Sequence, residues 1–222
     1  MGQLINIRRP DGGTCPAYYA ESGKGAPALV VIQEWWGLNE QIKKTADRFA
    51  RAGYRALVPD LYRGQIARDS DEASHKMNHL NFGDAVTQDI QGCVNHLRQE
   101  SKRLGVTGFC MGGALTILSA LKVQGVDAGV CFYGIPPKAF MNPAEMAIPM
   151  QFHFANQDDW CTPQLIGELE DGLRKSKSKW ELFKYDAEHA FMNEARPEVH
   201  EPKSAQLAWE RTVSFFDKVL KG

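Results

Sequence analysis

The segment Gly108-Phe109-Cys110-Met111-Gly112-Gly113 sets a thiol among glycines in a G-x-C-x-G-G pattern, after an apolar run and before a helical one. That spacing suits a sharp strand-to-helix turn. The central residue is held at the tip on a strained backbone, and small residues two positions to either side keep it from clashing with its neighbours. The turn also places the sulfur at the positive end of the following helix, which favours thiolate over thiol and later a negative tetrahedral intermediate. The Met111 backbone N–H is then a natural donor to the oxyanion. The chemistry implied is nucleophilic acyl transfer by Cys110. Without a strand before it and a helix after it, the same pattern would read as close packing around a buried cysteine; both flanks are present.

A cysteine nucleophile needs a base, the base needs an orienting acid, and the chain order nucleophile, acid, histidine is one that accompanies this turn. Asp158 and Asp159 close the stretch Phe152-His153-Phe154-Ala155-Asn156-Gln157-Asp158-Asp159, and His189 follows the last strand-like run in Tyr185-Asp186-Ala187-Glu188-His189. Both lie just past the C-terminal end of an expected strand, where catalytic groups gather in open α/β sheets. The expected constellation is therefore Cys110, His189 and an aspartate at 158 or 159. Of six histidines only His189 has such a setting. His153 alternates with Phe152 and Phe154 and reads as a packed strand residue. His75 and His79 have the i, i+4 spacing of helical metal ligands but lack a third, so no metal is expected. In Val30-Val31-Ile32-Gln33-Glu34-Trp35-Trp36-Gly37-Leu38-Asn39, a carboxylate and two indoles close a core strand, where a second oxyanion donor would arise. A carboxylate so soon after an apolar run needs a partner if it is buried.

The elements that must position these groups follow from alternation of short apolar runs with longer amphipathic ones, the pattern of βα units around a largely parallel sheet. Strands are expected near Leu4–Arg8, Cys15–Ala20, Ala28–Gln33, Arg55–Val58, Arg103–Phe109, Ala128–Tyr133, Met150–Phe154 and Trp180–Tyr185. Helices are expected at Asn39–Arg51, Phe82–Ser101, Met111–Lys122, Pro163–Lys175 and Ser204–Leu220. Gly53 stands where the first should stop and Pro163 where the fourth should start. Tyr62 to Asn81 is polar and weakly patterned, compatible with a short helix or an active-site loop. With 222 residues, no linker and no internal repeat, one α/β domain over residues 1–222 without a large cap is the working organisation.

Hydrophobic residues at 43% and charged ones at 24% are an ordinary globular balance, which excludes dominant disorder. A net charge of −1 offers no footprint for nucleic acid or an anionic membrane, and the apolar stretch Ala26 to Ile32 is too short to span a bilayer. The N-terminus lacks the apolar core of a secretory signal, so a cytoplasmic location is expected. Five cysteines without paired metal spacing read as free thiols. No cofactor is implied, the partner expected is a small molecule, and nothing sets an oligomeric state; a monomer suffices for this reading.

Together these features resemble the dienelactone hydrolase (carboxymethylenebutenolidase) family, with its α/β-hydrolase fold. The resemblance runs from about Val30 to Phe216, through Q-E-x-x-G-x-N at Gln33 to Asn39, G-x-C-x-G-G at Cys110, and G-H-x-F at Glu188 to Phe191, where Glu188 replaces glycine. It implies that a small ester or lactone is cleaved by Cys110 through a thioester, that His189 is the base and that Asp158 orients it. It further implies that Glu34 pairs with the resting thiol and that the Trp35 N–H is the second oxyanion donor. It does not extend to the family's carboxylate-gripping arginines. The position four after His189 is Asn193, Arg196 is out of register, and Asp71 to Asp89 holds no arginine, although Arg63 and Arg68 lie just before it. Other readings on the same fold are a thioesterase or general carboxylesterase, a non-catalytic binding protein, and a redox-responsive thiol protein with Cys161 as partner to Cys110.

Overall fold

The runs Ala28–Ile32 and Ala128–Phe132 contain no polar side chain, and both are buried along their whole length as strands inside a sheet. The structure, a computed structural model, describes residues 2–222. Its strands are β1 (Gln3–Arg8), β2 (Thr14–Ala20), β3 (Ala28–Ile32), β4 (Arg55–Pro59), β5 (Leu104–Phe109), β6 (Ala128–Phe132), β7 (Met150–Gln157) and β8 (Trp180–Glu188). They form one eight-stranded sheet in the order β1-β2-β4-β3-β5-β6-β7-β8. The β1–β2 and β2–β4 pairs are antiparallel and every other pair is parallel.

The helices are α1 (Glu40–Arg51), α2 (Ser70–His79), α3 (Phe82–Asp84), α4 (Gln91–Arg98), α5 (Met111–Lys122), α6 (Pro163–Leu173) and α7 (Pro202–Phe216). Alternate residues of β3 face opposite layers, as a strand's period of two requires. Leu29 and Val31 pack with Ile42 and Phe49 of α1 and Phe216 of α7, whereas Val30 and Ile32 pack with Val94 and Leu97 of α4 and Leu115 and Leu118 of α5. A third cluster sets Ile166 and Leu169 of α6 against Phe152 and Phe154 of β7. Polar caps fix the helix starts: Asn39 accepts from the Ile42 N–H, and Thr162 accepts from Leu165 with Pro163 following it.

The structure fills in the undecided stretch and departs from the sequence reading chiefly in two helices and two strands. The undecided stretch after Tyr62 contains α2, capped by Asp69, which accepts from the Glu72 N–H. The helix expected over Phe82–Ser101 is divided into α3, a π-helical turn at Ala85–Ile90, and α4. It also ends earlier, because Ser101 turns inward: its hydroxyl donates to the Ala26 carbonyl at 2.7 Å and accepts from Arg55 at 2.9 Å. The helix expected over Ser204–Leu220 passes at Asp217 into a second π-helical turn. Strands β7 and β8 run past their expected ends and carry Asp158 and His189 on their tips.

The first turn of α5 lies directly on the sheet. A Cβ on Gly112 would stand 2.6 Å from the Gln33 carbonyl oxygen and closer still to that of Ile32, and one on Gly113 would strike the Phe132 carbonyl. Replacing Gly112 with alanine gains helix propensity worth about 1 kcal/mol. The backbone shift it forces costs about 1–3 kcal/mol, and more than the lower bound applies because carbonyl groups cannot swing aside as side chains do. Gly112→Ala is expected to lower the urea midpoint with an unchanged m-value, a net loss of up to about 2 kcal/mol.

Candidate active site

Cys110 caps α5 at φ 55° and ψ −118°, a conformation that costs a non-glycine residue about 1–3 kcal/mol and persists only where its surroundings impose it. Here its N–H donates to the Phe132 carbonyl at 3.1 Å, and its carbonyl accepts from Gly113 and Ala114 at 2.9 and 3.2 Å. The turn holds the partly exposed thiol over the start of α5. Met111, the first residue of that helix, has no intrahelical acceptor for its N–H. The Trp35 N–H has no backbone or side-chain acceptor among the described residues.

One residue past β7, Asp158 is buried. Its Oδ1 accepts from the Trp160 and Cys161 amides at 2.8 and 2.9 Å, and its Oδ2 accepts from His189 Nδ1 at 2.8 Å. Of the two neighbouring aspartates it is Asp158 that bonds the imidazole; Asp159 is exposed and faces the smaller of two cavities. Burial opposes ionisation of Asp158, but His189 and the two amides outweigh it and hold its pKa below the ordinary value. Burial likewise opposes protonation of His189. Asp158 and then the Cys110 side chain outweigh that penalty and raise the imidazole pKa from 6.5 to about 10. His189 Nε2 is buried without a hydrogen bond of complete geometry. Its electrostatic partner is Cys110, which lines both cavities with it.

Glu34 departs from the pairing that the resemblance implies. Its carboxylate is buried and accepts from Tyr133 Oη at 3.2 Å and from Asn193 Nδ2 at 2.6 Å, and no bond to the Cys110 thiol forms. Burial lifts its pKa above the ordinary glutamate range, against the hydrogen bond from Asn193, the nearby His189 and the hydrogen bond from Tyr133. Asn193 thus stands where a carboxylate-gripping arginine was sought and is turned inward onto Glu34. Arg63 is taken by Asp89 at 2.7 and 2.9 Å and Arg68 by Glu72 at 3.1 Å, whereas Arg196 lines the smaller cavity beside Trp36.

Two cavities meet at Cys110 and His189. One of about 690 Å³ runs along α5 and beneath α2 and α3; the other, of about 270 Å³, is walled by Trp35, Trp36, Glu188 and Arg196. Trp160 stands between them, 5.8 Å from Trp35 and 6.4 Å from His189 between ring centroids. Cys161 lines the larger cavity, and burial pushes its thiol pKa well up, so it is held as a neutral thiol. Among the described residues no group of three metal-ligating side chains exists, and the His75 and His79 rings lie tilted against each other, 4.1 Å between centroids. Among the described residues no helix is long and apolar enough to cross a membrane.

Sequence reasoning missed Tyr133, which reaches φ 34° just beyond β6, bonds Glu34 and stands edge-on to His189 at 5.1 Å. The signal was available: a tyrosine before glycine at the end of a core run has the same setting as Glu34 and Asp158. Met77 of α2 and Trp160, which line both cavities, were missed as well, because nothing local ties them to the cysteine.

A mostly parallel sheet in this order, with a positive-φ residue between its central strand and the helix behind it, is the α/β-hydrolase fold. Within that fold the chain belongs to the dienelactone hydrolase family, which residues 15–220 match. "Protein usf" of Aquifex pyrophilus is 34% identical, the match covering 99% of this chain and 100% of that one. A protein of Aquifex aeolicus (strain VF5) named "Putative carboxymethylenebutenolidase" is 32% identical over 100% of both. Among solved structures, the "Putative Dienelactone Hydrolase" of Klebsiella pneumoniae subsp. pneumoniae MGH 78578 superposes with a TM-score of 0.86 at 25% identity, covering 97% of this chain and 98% of that one.

Because Asp158 and not Asp159 bonds the imidazole, the two asparagine variants must differ. Asp158→Asn is expected to lower the His189 pKa by about 1–3 units, and Asp159→Asn to leave it nearly unchanged, in an NMR titration of the ring.

Proposed function

We propose that this protein hydrolyses small esters or lactones through a Cys110–His189–Asp158 triad and a thioester acyl-enzyme. The observation that carries the reading is the buried 2.8 Å Asp158–His189 bond, set beside a cysteine held at positive φ on a helix N-terminus. The substrate class is that of the carboxymethylenebutenolidase-named relative, brought here as part of the proposal.

The Cys110 thiol passes its proton to His189 Nε2 and the sulfur attacks the carbonyl carbon, while the carbonyl π electrons move to oxygen, where the Met111 and Trp35 N–H groups receive the charge. As the tetrahedral species collapses, the carbon–oxygen bond to the leaving group breaks and His189 Nε2 gives that oxygen a proton. A water then loses its proton to His189 and attacks the thioester; the carbon–sulfur bond breaks, releasing the acid. Asp158 keeps Nδ1 protonated so that Nε2 faces the reaction. Glu34 acts here as a rigid support: held by Tyr133 and Asn193, it fixes the strand end that presents the Trp35 N–H. No cofactor or metal takes part in this scheme, and a thioester substrate would follow the same course. The redox alternative is disfavoured by Cys161, whose buried neutral thiol is a poor attacking group.

Cys110→Ala is expected to abolish turnover of p-nitrophenyl esters and simple lactones while leaving the thermal transition in place; retention of most of the activity would refute the nucleophile. The raised His189 pKa also has a kinetic signature. Because imidazolium is the form that protonates the leaving group, kcat/KM is expected to fall as pH rises through about 10. Asp158→Asn should draw that limb to lower pH and cost orders of magnitude in rate; an unmoved limb would remove His189 from the assignment.

A further inference from the structure

The two cavities that meet at Cys110 differ in chemistry, and the catalytic cycle gives each a side of the substrate. His189 must hand its proton to the leaving oxygen, so the leaving group lies toward the chain around that histidine. Glu188, His189 and Ala190 line the smaller cavity in succession, and Asp159 and Arg196 add charge to its wall. The acyl portion must then point the other way, along the helix that follows the nucleophile. The larger cavity follows that helix: Met111, Ala114 and Leu118 form its floor, and Leu80, Phe82 and Val86 its opposite wall. Apart from His189 at its mouth, its one charged lining side chain among the described residues is Lys122, at the far end of α5.

From this we infer that the larger cavity is an acyl-chain site, and that the preferred substrates are esters of an unbranched apolar acid with a small polar alcohol. The inference rests on the hydrolytic reading above and adds the identity of the acyl group. Length follows from the helix. Positions 111 and 118 both line the cavity, and at about 1.5 Å per residue they are about 10 Å apart. An extended chain advances about 1.2 Å per bond, taking about 3.6 Å for the three backbone bonds of a residue. The floor therefore accommodates about eight bonds, an octanoyl group. The absence of arginine from this cavity fits the same substrate, since an uncharged chain leaves no carboxylate to be gripped.

Two isomeric esters test the assignment, because they share formula and apolar area and differ only in which side of the ester bond is long. Ethyl octanoate is expected to exceed octyl acetate in kcat/KM by at least about tenfold, the worth of fewer than two buried methylenes. Leu118→Trp, which fills the floor, should bring the ratio toward one. Binding is read separately by titrating octanamide into the Cys110→Ala variant in a calorimeter: saturable binding with a negative heat-capacity change, weakened by Leu118→Trp, is expected. Equal rates for the two esters, or a faster octyl acetate, together with no octanamide binding, would overturn the acyl-chain site and leave cysteine-dependent hydrolysis standing. Octanamide binding by a protein that hydrolyses neither ester would instead support the site and overturn the hydrolytic reading.

Discussion

No side chain fits between the first turn of α5 and the ends of β3 and β6. Gly112 and Gly113 lie against the carbonyls of Ile32, Gln33 and Phe132, and the missing Cβ of Gly134 leaves room for the Cys110 carbonyl. This close approach leaves Cys110 little choice but positive φ, with its sulfur over the helix start. The rest of the site is arranged around that point. β3 ends in Glu34 and Trp35, β6 leads to Tyr133, β7 to Asp158 and β8 to His189, all on the same edge of the sheet.

Electrostatics then differentiates the buried groups. Asp158 accepts three hydrogen bonds and is held ionised despite its burial, so it can favour the protonated ring of His189. Glu34, equally buried, receives only two and no formal positive charge at bonding distance, and its pKa moves the other way. Burial opposes ionisation of both; at Asp158 the hydrogen bonds and the nearby His189 outweigh it, and at Glu34 they do not.

The sheet was legible in the sequence because its strands are short apolar runs that allow no competing pattern, and the elbow because glycine spacing around a thiol has a steric meaning. Cys110, Asp158 and His189 could be singled out as candidates because each directly follows such a run. What was not legible depended on distant contacts. The early end of α4 follows from Ser101 being drawn onto Ala26 and Arg55, far away in the chain. Asn193 could be flagged as a missing arginine, but its inward turn onto Glu34 spans 159 residues of chain and leaves no local trace. The paired cavities are likewise built from α2, α3 and the loop at Trp160, whose approach to Cys110 no periodicity encodes.

The claim on which the account rests is that the acyl group passes through the sulfur of Cys110. Acid-quenched intact-mass analysis of the protein mixed with a p-nitrophenyl ester reads this directly, before turnover clears the intermediate. A mass increase equal to one acyl group, mapped to the peptide containing Cys110 and removed by hydroxylamine as a thioester should be, is the predicted result. A protein that hydrolyses the ester while its mass stays unchanged at every quench time, or whose adduct maps to another residue, would contradict it.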